Sequence, residues 1–113
     1  MPLRREYLQR AAYLNLPAAQ SKCGWCYEHA QLSFPFDPLM SVQYYSAASQ
    51  GGEPEADMAL SKWFLCGAEG CFDKNESLAW TFAERAAKHH LPTAEFAMGY
   101  YLEDGIGGPS VLE

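Results

Sequence analysis

Four cysteines are the residues of this sequence whose type and spacing could most readily support chemistry. Cys23 and Cys26 form a Cys-x-x-Cys motif, which can act as a redox pair or supply half of a zinc site. Cys66 and Cys71 could supply the other half. A redox cysteine also needs the N-terminus of a helix, where the helix dipole lowers the pKa of its thiol. Zinc binding and thiol redox chemistry therefore depend on the elements that carry these residues.

An internal repeat organises those elements. Three prolines stand 37 and 38 residues apart, each two positions before an alanine: Pro17, Pro54 and Pro92, with Ala19, Ala56 and Ala94. Upstream of each proline, apolar, aromatic and small residues agree in the same register: Leu3, Met40 and Leu78; Tyr7, Tyr44 and Phe82; Ala11, Ala48 and Ala86. A period of this length is typical of solenoids built from stacked structural units.

Each unit has the periodicity of helices, because its apolar residues recur three and four positions apart. The prolines fall where a first helical turn tolerates them, and Gly67 and Gly105 fall where a helix should end in a left-handed residue. The pattern predicts an all-α, α/α superhelical solenoid of helix pairs. We expect units of about 1–36, 37–74 and 75–113, with helices near 3–14, 17–30, 39–50, 55–66, 76–90 and 93–104.

Side-chain size should set the spacing between neighbouring helices. Small residues at matching positions should allow close approach: Ala19, Gly24, Ala48, Ala56, Ala86, Ala94 and Gly99. Aromatic residues should fill the wider gaps between pairs: Tyr7, Tyr44, Phe64 and Phe82. In the connections between pairs, we expect Phe36-Asp37 to correspond to Phe72-Asp73.

The repeat register favours a packing role for the Cys-x-x-Cys motif. Its cysteines occupy places that apolar residues fill in the other units: Leu60 and Met98 for Cys23, and Trp63 and Tyr101 for Cys26. Both cysteines also fall in the middle of a predicted helix, away from the N-terminus that a redox thiol requires. We therefore expect reduced thiols, no metal, no cofactor and no catalytic residue, with zinc and redox chemistry as less favoured alternatives.

Composition narrows the classes of partner. The chain has 113 residues and a net charge of -6, which argues against binding to nucleic acid or to an anionic membrane surface. No apolar run approaches the roughly 20 residues that span a bilayer, and the N-terminus leads into no signal core. We expect an intracellular, cytoplasmic domain. Because the sequence starts within a unit and stops at Gly107-Gly108-Pro109, we also expect it to be a piece of a longer array.

Several stretches resemble a known repeat family. The segment 92–107 resembles the Sel-one-like repeat, a relative of the tetratricopeptide repeat, and 79–87 resembles the second helix of that repeat. Three stretches, 22–29, 55–70 and 94–105, are similar to the fungal chitin synthase regulators. The chain departs from the pattern where Ser61 replaces the usual glycine and Leu102 the usual tyrosine.

The resemblance implies a function without catalysis. It implies an adaptor that binds and activates a chitin synthase during synthesis of cell-wall and septum chitin, at the plasma membrane through that partner and without inserting into the bilayer. The alternatives are a scaffold for another membrane assembly, such as protein quality control at the endoplasmic reticulum, and a hydrolase of the secreted Sel-one-like type. The partner's identity and the oligomeric state stay open.

One repeat position is a candidate for partner contact. Trp25, Lys62 and Tyr100 occupy the same place in successive units but differ in size and polarity. A packing position would keep both properties. We therefore predict that these three residues contact the partner, with packing at a helix edge as the alternative.

Overall fold

A computed structural model describes residues 2–106 of the chain. Six α-helices follow one another: α1 Pro2–Tyr13, α2 Pro17–His29, α3 Pro38–Gln50, α4 Pro54–Cys66, α5 Glu76–Lys88 and α6 Pro92–Asp104. Within this range the extended structure is a single bridge between Ala68 and Phe72. The predicted helices are confirmed, since every bound agrees to within two residues. Segment 107–109 lies outside the described residues.

The helices form two compact units, Met1–Ala56 and Asp57–Glu113. In the first unit, α2 packs closely on both α1 and α3. In the second unit, α5 packs on α6. This division follows the packing of the chain, whereas the three sequence units of about 1–36, 37–74 and 75–113 remain a prediction about the repeat.

The turn between the two helices of each pair is the same in all three pairs. Its middle residue has a left-handed backbone, with φ of 63°, 88° and 59° at Asn15, Gly52 and His90. The next residue donates its N–H to a carbonyl in the last turn of the first helix: Leu16 to Ala11, Glu53 to Ala48 and Leu91 to Ala86, at 3.3, 3.1 and 3.5 Å. These bonds satisfy carbonyls that the helix leaves free. The matching alanines of the sequence are therefore the acceptors of one repeated turn.

Proline begins the helix that follows each of these turns. Pro17, Pro54 and Pro92 are the first residues of α2, α4 and α6. The missing proline N–H costs nothing there because it would have no partner within the helix. The turn and the proline together explain why these residues recur with the period of the repeat.

The connections between pairs also repeat, but in a register different from the predicted one. Asp37 caps α3 by accepting from the Met40 N–H at 3.1 Å, and Asn75 caps α5 by accepting from the Leu78 N–H at 3.1 Å. The predicted match of Phe36-Asp37 with Phe72-Asp73 is therefore wrong, because Asp37 corresponds to Asn75.

The backbone and rings support the corrected register. The cap residues Asp37 and Asn75 donate their own N–H groups to Tyr27 and Phe64, at 3.0 and 2.7 Å. The same two acceptor residues pack their rings against loop phenylalanines, Tyr27 against Phe34 at 4.9 Å and Phe64 against Phe72 at 5.8 Å. Phe36, by contrast, is 62% exposed.

Aromatic packing between pairs is confirmed at three of its four predicted positions. Tyr44 stacks on Tyr27 with ring centroids 5.7 Å apart, and Phe82 stacks on Phe64 at 5.9 Å. The prediction for Tyr7 is wrong, because its ring is 63% exposed and lies against the guanidinium of Arg10 at 5.9 Å.

Most of the small residues predicted at the helix contacts are also buried. Four of the predicted alanines are completely buried: Ala48, Ala56, Ala86 and Ala94. Ala19 is half-buried against the core of the first unit. Gly24 is buried, whereas Gly99, its counterpart on α6, is exposed. The prediction of close approach at Gly99 is wrong, since a side chain there would meet no described atom within 4 Å.

Glycine ends two of the second helices, as predicted. Gly67 and Gly105 are left-handed, with φ of 71° and 68°, and the matching residue of the first pair is Ala30 with φ of 53°. Gly67 has an additional constraint, because a Cβ there would lie 2.7 Å from the backbone nitrogen of Lys74. The loop after α4 can therefore close only around a residue without a side chain.

This constraint predicts unequal effects of two alanine substitutions. Gly70 also has a positive φ, but a Cβ there would meet nothing within 4 Å. We expect Gly70→Ala to lower the free energy of unfolding by about 1–2 kcal/mol through backbone strain alone. Gly67→Ala should lower it by about 2–4 kcal/mol, because the Cβ also displaces the loop. Urea unfolding followed by circular dichroism measures both, and equal losses would contradict the close approach.

Candidate protein-binding surface

Small residues and hydroxyl groups set the distance between the helices that carry the candidate contacts. The Ser41 hydroxyl on α3 donates to the Gly24 carbonyl on α2 at 2.8 Å. In the second unit the Ser61 hydroxyl on α4 donates to the Ala79 carbonyl on α5 at 2.6 Å. Ser61 occupies the repeat place of Gly24, and Ala79 that of Ser41. The hydroxyl belongs to the later helix in the first unit and to the earlier helix in the second, but both units keep a hydrogen bond between the two helices. This bond accounts for the serine that departs from the repeat pattern.

Each crossing has a further contact. A Cβ at Gly24 would lie 2.9 Å from the ring of Tyr45, so the tyrosine packs directly on the backbone of α2. The Tyr45 hydroxyl donates to Glu28 Oε1 at 2.7 Å. Burial, followed by this bond, raises the pKa of the Tyr45 hydroxyl, which stays protonated. In the second unit, the hydroxyls of Ser61 and Tyr101 lie 2.9 Å apart.

The Cys-x-x-Cys motif lies in the core of the first unit. Cys23 and Cys26 are completely buried and pack with Ala12, Tyr27 and Phe34. Burial raises the pKa of the Cys23 thiol to about 11, which favours the protonated thiol at neutral pH. The predicted packing role is confirmed.

The second pair of cysteines is exposed. Cys66 ends α4, Cys71 lies in the following loop, and both are free thiols. Within residues 2–106, no group of three or more His, Cys, Asp or Glu side chains could hold a metal ion.

The three predicted contact residues are exposed on the second helix of their pairs. Trp25 on α2 is 39% exposed, Tyr100 on α6 is 52% exposed, and Lys62 on α4 is exposed as well. Each follows the small residue of its helix, Gly24, Ser61 or Gly99. Trp25 and Lys62 thus directly follow a buried residue of their helix, whereas Tyr100 follows the exposed Gly99. Exposure leaves their role in partner contact a prediction.

Two neighbours of Trp25 were not predicted. The Lys22 Nζ atom lies 4.1 Å from the centroid of the Trp25 ring, and the His29 ring lies 4.9 Å from it. We name Lys22, Trp25 and His29 the Trp25 strip. Residues three and four positions apart share a helix face, so this spacing could have identified the strip from the sequence.

The counterpart of the strip on α6 has the opposite charge. A hydrogen bond with Asp104 raises the pKa of the exposed Tyr100 hydroxyl. Asp104 occupies the repeat place of His29. The same helix face is therefore basic around Trp25 and acidic around Tyr100.

Solved structures identify the fold. A crystal structure of a Sel1 repeat protein from Oxalobacter formigenes superposes on 92% of the chain with a TM-score of 0.77 and 27% identity, and 76% of that protein is covered. The chain is a Sel1-like repeat protein. The fold of c5321, a protective antigen of uropathogenic Escherichia coli with an SLR fold, also matches 88% of this chain with a TM-score of 0.79, at 24% identity and over 21% of that protein. The predicted all-α solenoid of Sel-one-like helix pairs is confirmed.

Sequence relatives of this Sel1-like repeat protein are fungal. Chitin synthase regulatory factor 3 of Schizosaccharomyces pombe is 41% identical over 101 residues, which are 89% of this chain and 11% of that protein. The chitin synthase regulators SKT5 of Malassezia restricta and Saccharomyces cerevisiae are 36% and 38% identical over 95% and 89% of this chain, and over 7% and 14% of their own lengths. The chain thus spans about a tenth of these relatives. No family model matches it.

In the described part of this Sel1-like repeat protein, no helix is both long and apolar enough to cross a membrane.

The geometry of the crossing predicts opposite effects of one substitution at two repeat-equivalent glycines. Gly24→Ala should lower the free energy of unfolding by about 1–3 kcal/mol, because the new methyl group displaces the Tyr45 ring. Gly99→Ala should raise it by about 0.5–1 kcal/mol, because alanine is the better helix former at an exposed position. Urea titration of both variants measures this, and stabilisation by both would show that the Gly24 crossing is not tight.

The burial of the thiols predicts two classes of reactivity. Cys66 and Cys71 should react rapidly with an aromatic disulfide reagent, whereas Cys23 and Cys26 should react only as the protein unfolds. Raising the pH towards 9 should leave the buried pair unreactive in the folded protein, because burial raises the pKa of both buried thiols. The double variant Cys66→Ser, Cys71→Ser is the control and should lose the rapid phase. A rapid phase that survives in this variant would contradict the packing role of the motif.

Proposed function

We propose that this Sel1-like repeat chain is part of a non-catalytic adaptor that binds a fungal chitin synthase and raises its activity. The observation that carries the proposal is the similarity to three chitin synthase regulators over nine-tenths of the chain. The segment in which they match is built of helix pairs, a class of structure whose common use is to bind other proteins on an extended surface. Because these relatives are named as chitin synthase regulators, we favour this function over the two alternatives, a scaffold for protein quality control and a secreted hydrolase.

The use of the polar side chains supports an adaptor. Residues that could do chemistry elsewhere serve the packing of the helices here, as with the buried thiols of Cys23 and Cys26 and the hydroxyls of Ser41 and Ser61. The hydrogen bonds of the two hydroxyls join one helix to another.

The contact residues are proposed to be Trp25, Lys62 and Tyr100. They vary in chemistry from one pair to the next, while each lies next to a buried residue of its helix: Cys26, Ser61 and Tyr101. A surface of this kind changes its partner without changing its fold. We further propose that the protein is intracellular and reaches the plasma membrane through its partner.

A second candidate function is regulation of a different enzyme. The Activator of C kinase protein 1 of Saccharomyces cerevisiae is 37% identical over 82 residues, which are 67% of this chain. That relative is also named for raising the activity of an enzyme. The broader proposal, binding to an enzyme and activating it, therefore has support from both groups of relatives.

A chimera tests the proposal. The matching segment of the Saccharomyces cerevisiae regulator SKT5 would be replaced by this chain, in a strain that lacks its own copy. We expect the chimera to co-precipitate chitin synthase and to restore chitin staining of the cell wall. The triple variant Trp25→Ala, Lys62→Ala, Tyr100→Ala should reduce co-precipitation at least about tenfold, because exposed aromatic residues dominate such contacts.

The matched control uses exposed residues of first helices. Gln43→Ala and Thr81→Ala, on α3 and α5, should co-precipitate the enzyme normally. Loss of binding in this control but not in the triple variant would refute the proposed contacts. A folded chimera that neither binds the enzyme nor restores chitin would refute the proposed function.

A further inference from the structure

The Trp25 strip combines an exposed aromatic ring with basic groups on both sides. Lys22 precedes Trp25 by three residues and His29 follows it by four, so all three lie on one face of α2. The ammonium of Lys22 lies over the ring at 4.1 Å, a distance at which cation–π attraction holds it. Trp25 nevertheless stays 39% exposed. The strip therefore presents apolar surface and positive charge together.

The charge of Lys22 is not neutralised within the described chain. Among residues 2–106, no carboxylate lies within 4.0 Å of its ammonium. Glu28 Oε1 lies 3.6 Å from His29 Nε2, but this same oxygen accepts the Tyr45 hydroxyl bond at 2.7 Å. This bond holds Glu28 against α3, and the Glu28 carboxylate does not pair with Lys22.

Charge is unevenly distributed along the sequence in a way that favours an acidic ligand at this strip. Residues 1–29 contain four basic side chains, Arg4, Arg5, Arg10 and Lys22, and two acidic ones, Glu6 and Glu28. Residues 30–113 contain four basic and twelve acidic side chains. The net charge of -6 therefore conceals a basic first helix pair in an otherwise acidic chain.

We infer that the Trp25 strip binds an acidic segment of a protein partner. A glutamate or aspartate of that segment would accept hydrogen bonds from the Lys22 ammonium and the His29 ring. Apolar side chains next to it in the same segment would pack on Trp25. A charge-assisted bond of this kind is stronger than a neutral one, and the ring shields it from water. The inference rests on the proposed function for the existence of a partner and adds the chemistry of the segment that the first helix pair accepts.

The test uses the full chain and a defined peptide. The probe is a short synthetic peptide rich in glutamate and leucine, and its twin carries glutamine at every glutamate. The indole N–H resonance of Trp25, assigned with Trp25→Phe, should shift on addition of the glutamate peptide. The resonances of Trp63 and Trp80, which are less exposed, serve as internal references. The glutamine twin should bind at least about tenfold more weakly, because it lacks the charge.

Three variants locate the site, with peptide binding measured by calorimetry because substitution of Trp25 removes the indole reporter. Lys22→Glu should weaken binding of the glutamate peptide at least about tenfold, since attraction becomes repulsion. Trp25→Ala should weaken it by a similar factor, while Trp25→Phe should keep most of the affinity because a ring remains. Lys88→Glu, an exposed charge reversal at the end of α5, is the matched control and should bind as the parent protein does.

Three outcomes would overturn the inference: equal binding of the glutamine twin, undiminished binding by Lys22→Glu, or tighter binding of a single-stranded oligonucleotide at the same resonance. Its failure is separable from that of the proposed function. Co-precipitation of chitin synthase with no peptide binding refutes the acidic ligand alone, and peptide binding without co-precipitation refutes the named partner alone.

Discussion

The close crossing of α2 with α3, and of α4 with α5, is the constraint on which the rest of the structure depends. At each crossing a small residue lets one helix approach the next, and a serine hydroxyl bonds to the facing carbonyl, from Ser41 to Gly24 and from Ser61 to Ala79. A buried hydroxyl without a partner would be costly, so the bond and the close approach need each other. Trp25 and Lys62, the next residues of α2 and α4, lie in solvent.

The same close packing accounts for the place of the Cys-x-x-Cys motif. Cys23 and Cys26 fill the interior where other units use larger apolar side chains, and burial raises the pKa of both thiols. Among the described residues, no buried side-chain nitrogen or oxygen lacks a hydrogen-bond partner. Polar groups in the interior thus join helices, and the varied chemistry of the chain lies on its surface, where a binding protein needs it.

Much of the fold could be predicted from the sequence because its most regular features have local causes. Proline at the start of a helix and alanine at the matching carbonyl belong to one turn that repeats three times. The connections were harder, because Phe36-Asp37 and Phe72-Asp73 are alike in sequence, whereas capping geometry pairs Asp37 with Asn75. Gly99 and Tyr7 differ from the prediction because burial depends on which neighbour covers a face, and the register does not contain that information.

The surface was predictable in position but not in chemistry. A change of residue type at one repeat position pointed to Trp25, Lys62 and Tyr100, and all three are exposed. The basic neighbours of Trp25 follow from helical spacing. The strength of their interaction with the Trp25 ring depends on distances that only the structure supplies, such as the 4.1 Å between Lys22 Nζ and the centroid of the indole ring.

The central claim is that partners bind the second helix of each pair. Hydrogen–deuterium exchange of the chain, with and without the cytosolic segments of a fungal chitin synthase, tests it most directly. The account predicts slower exchange on binding in α2, α4 and α6, with α1, α3 and α5 unchanged. Protection confined to α1, α3 and α5 would contradict it.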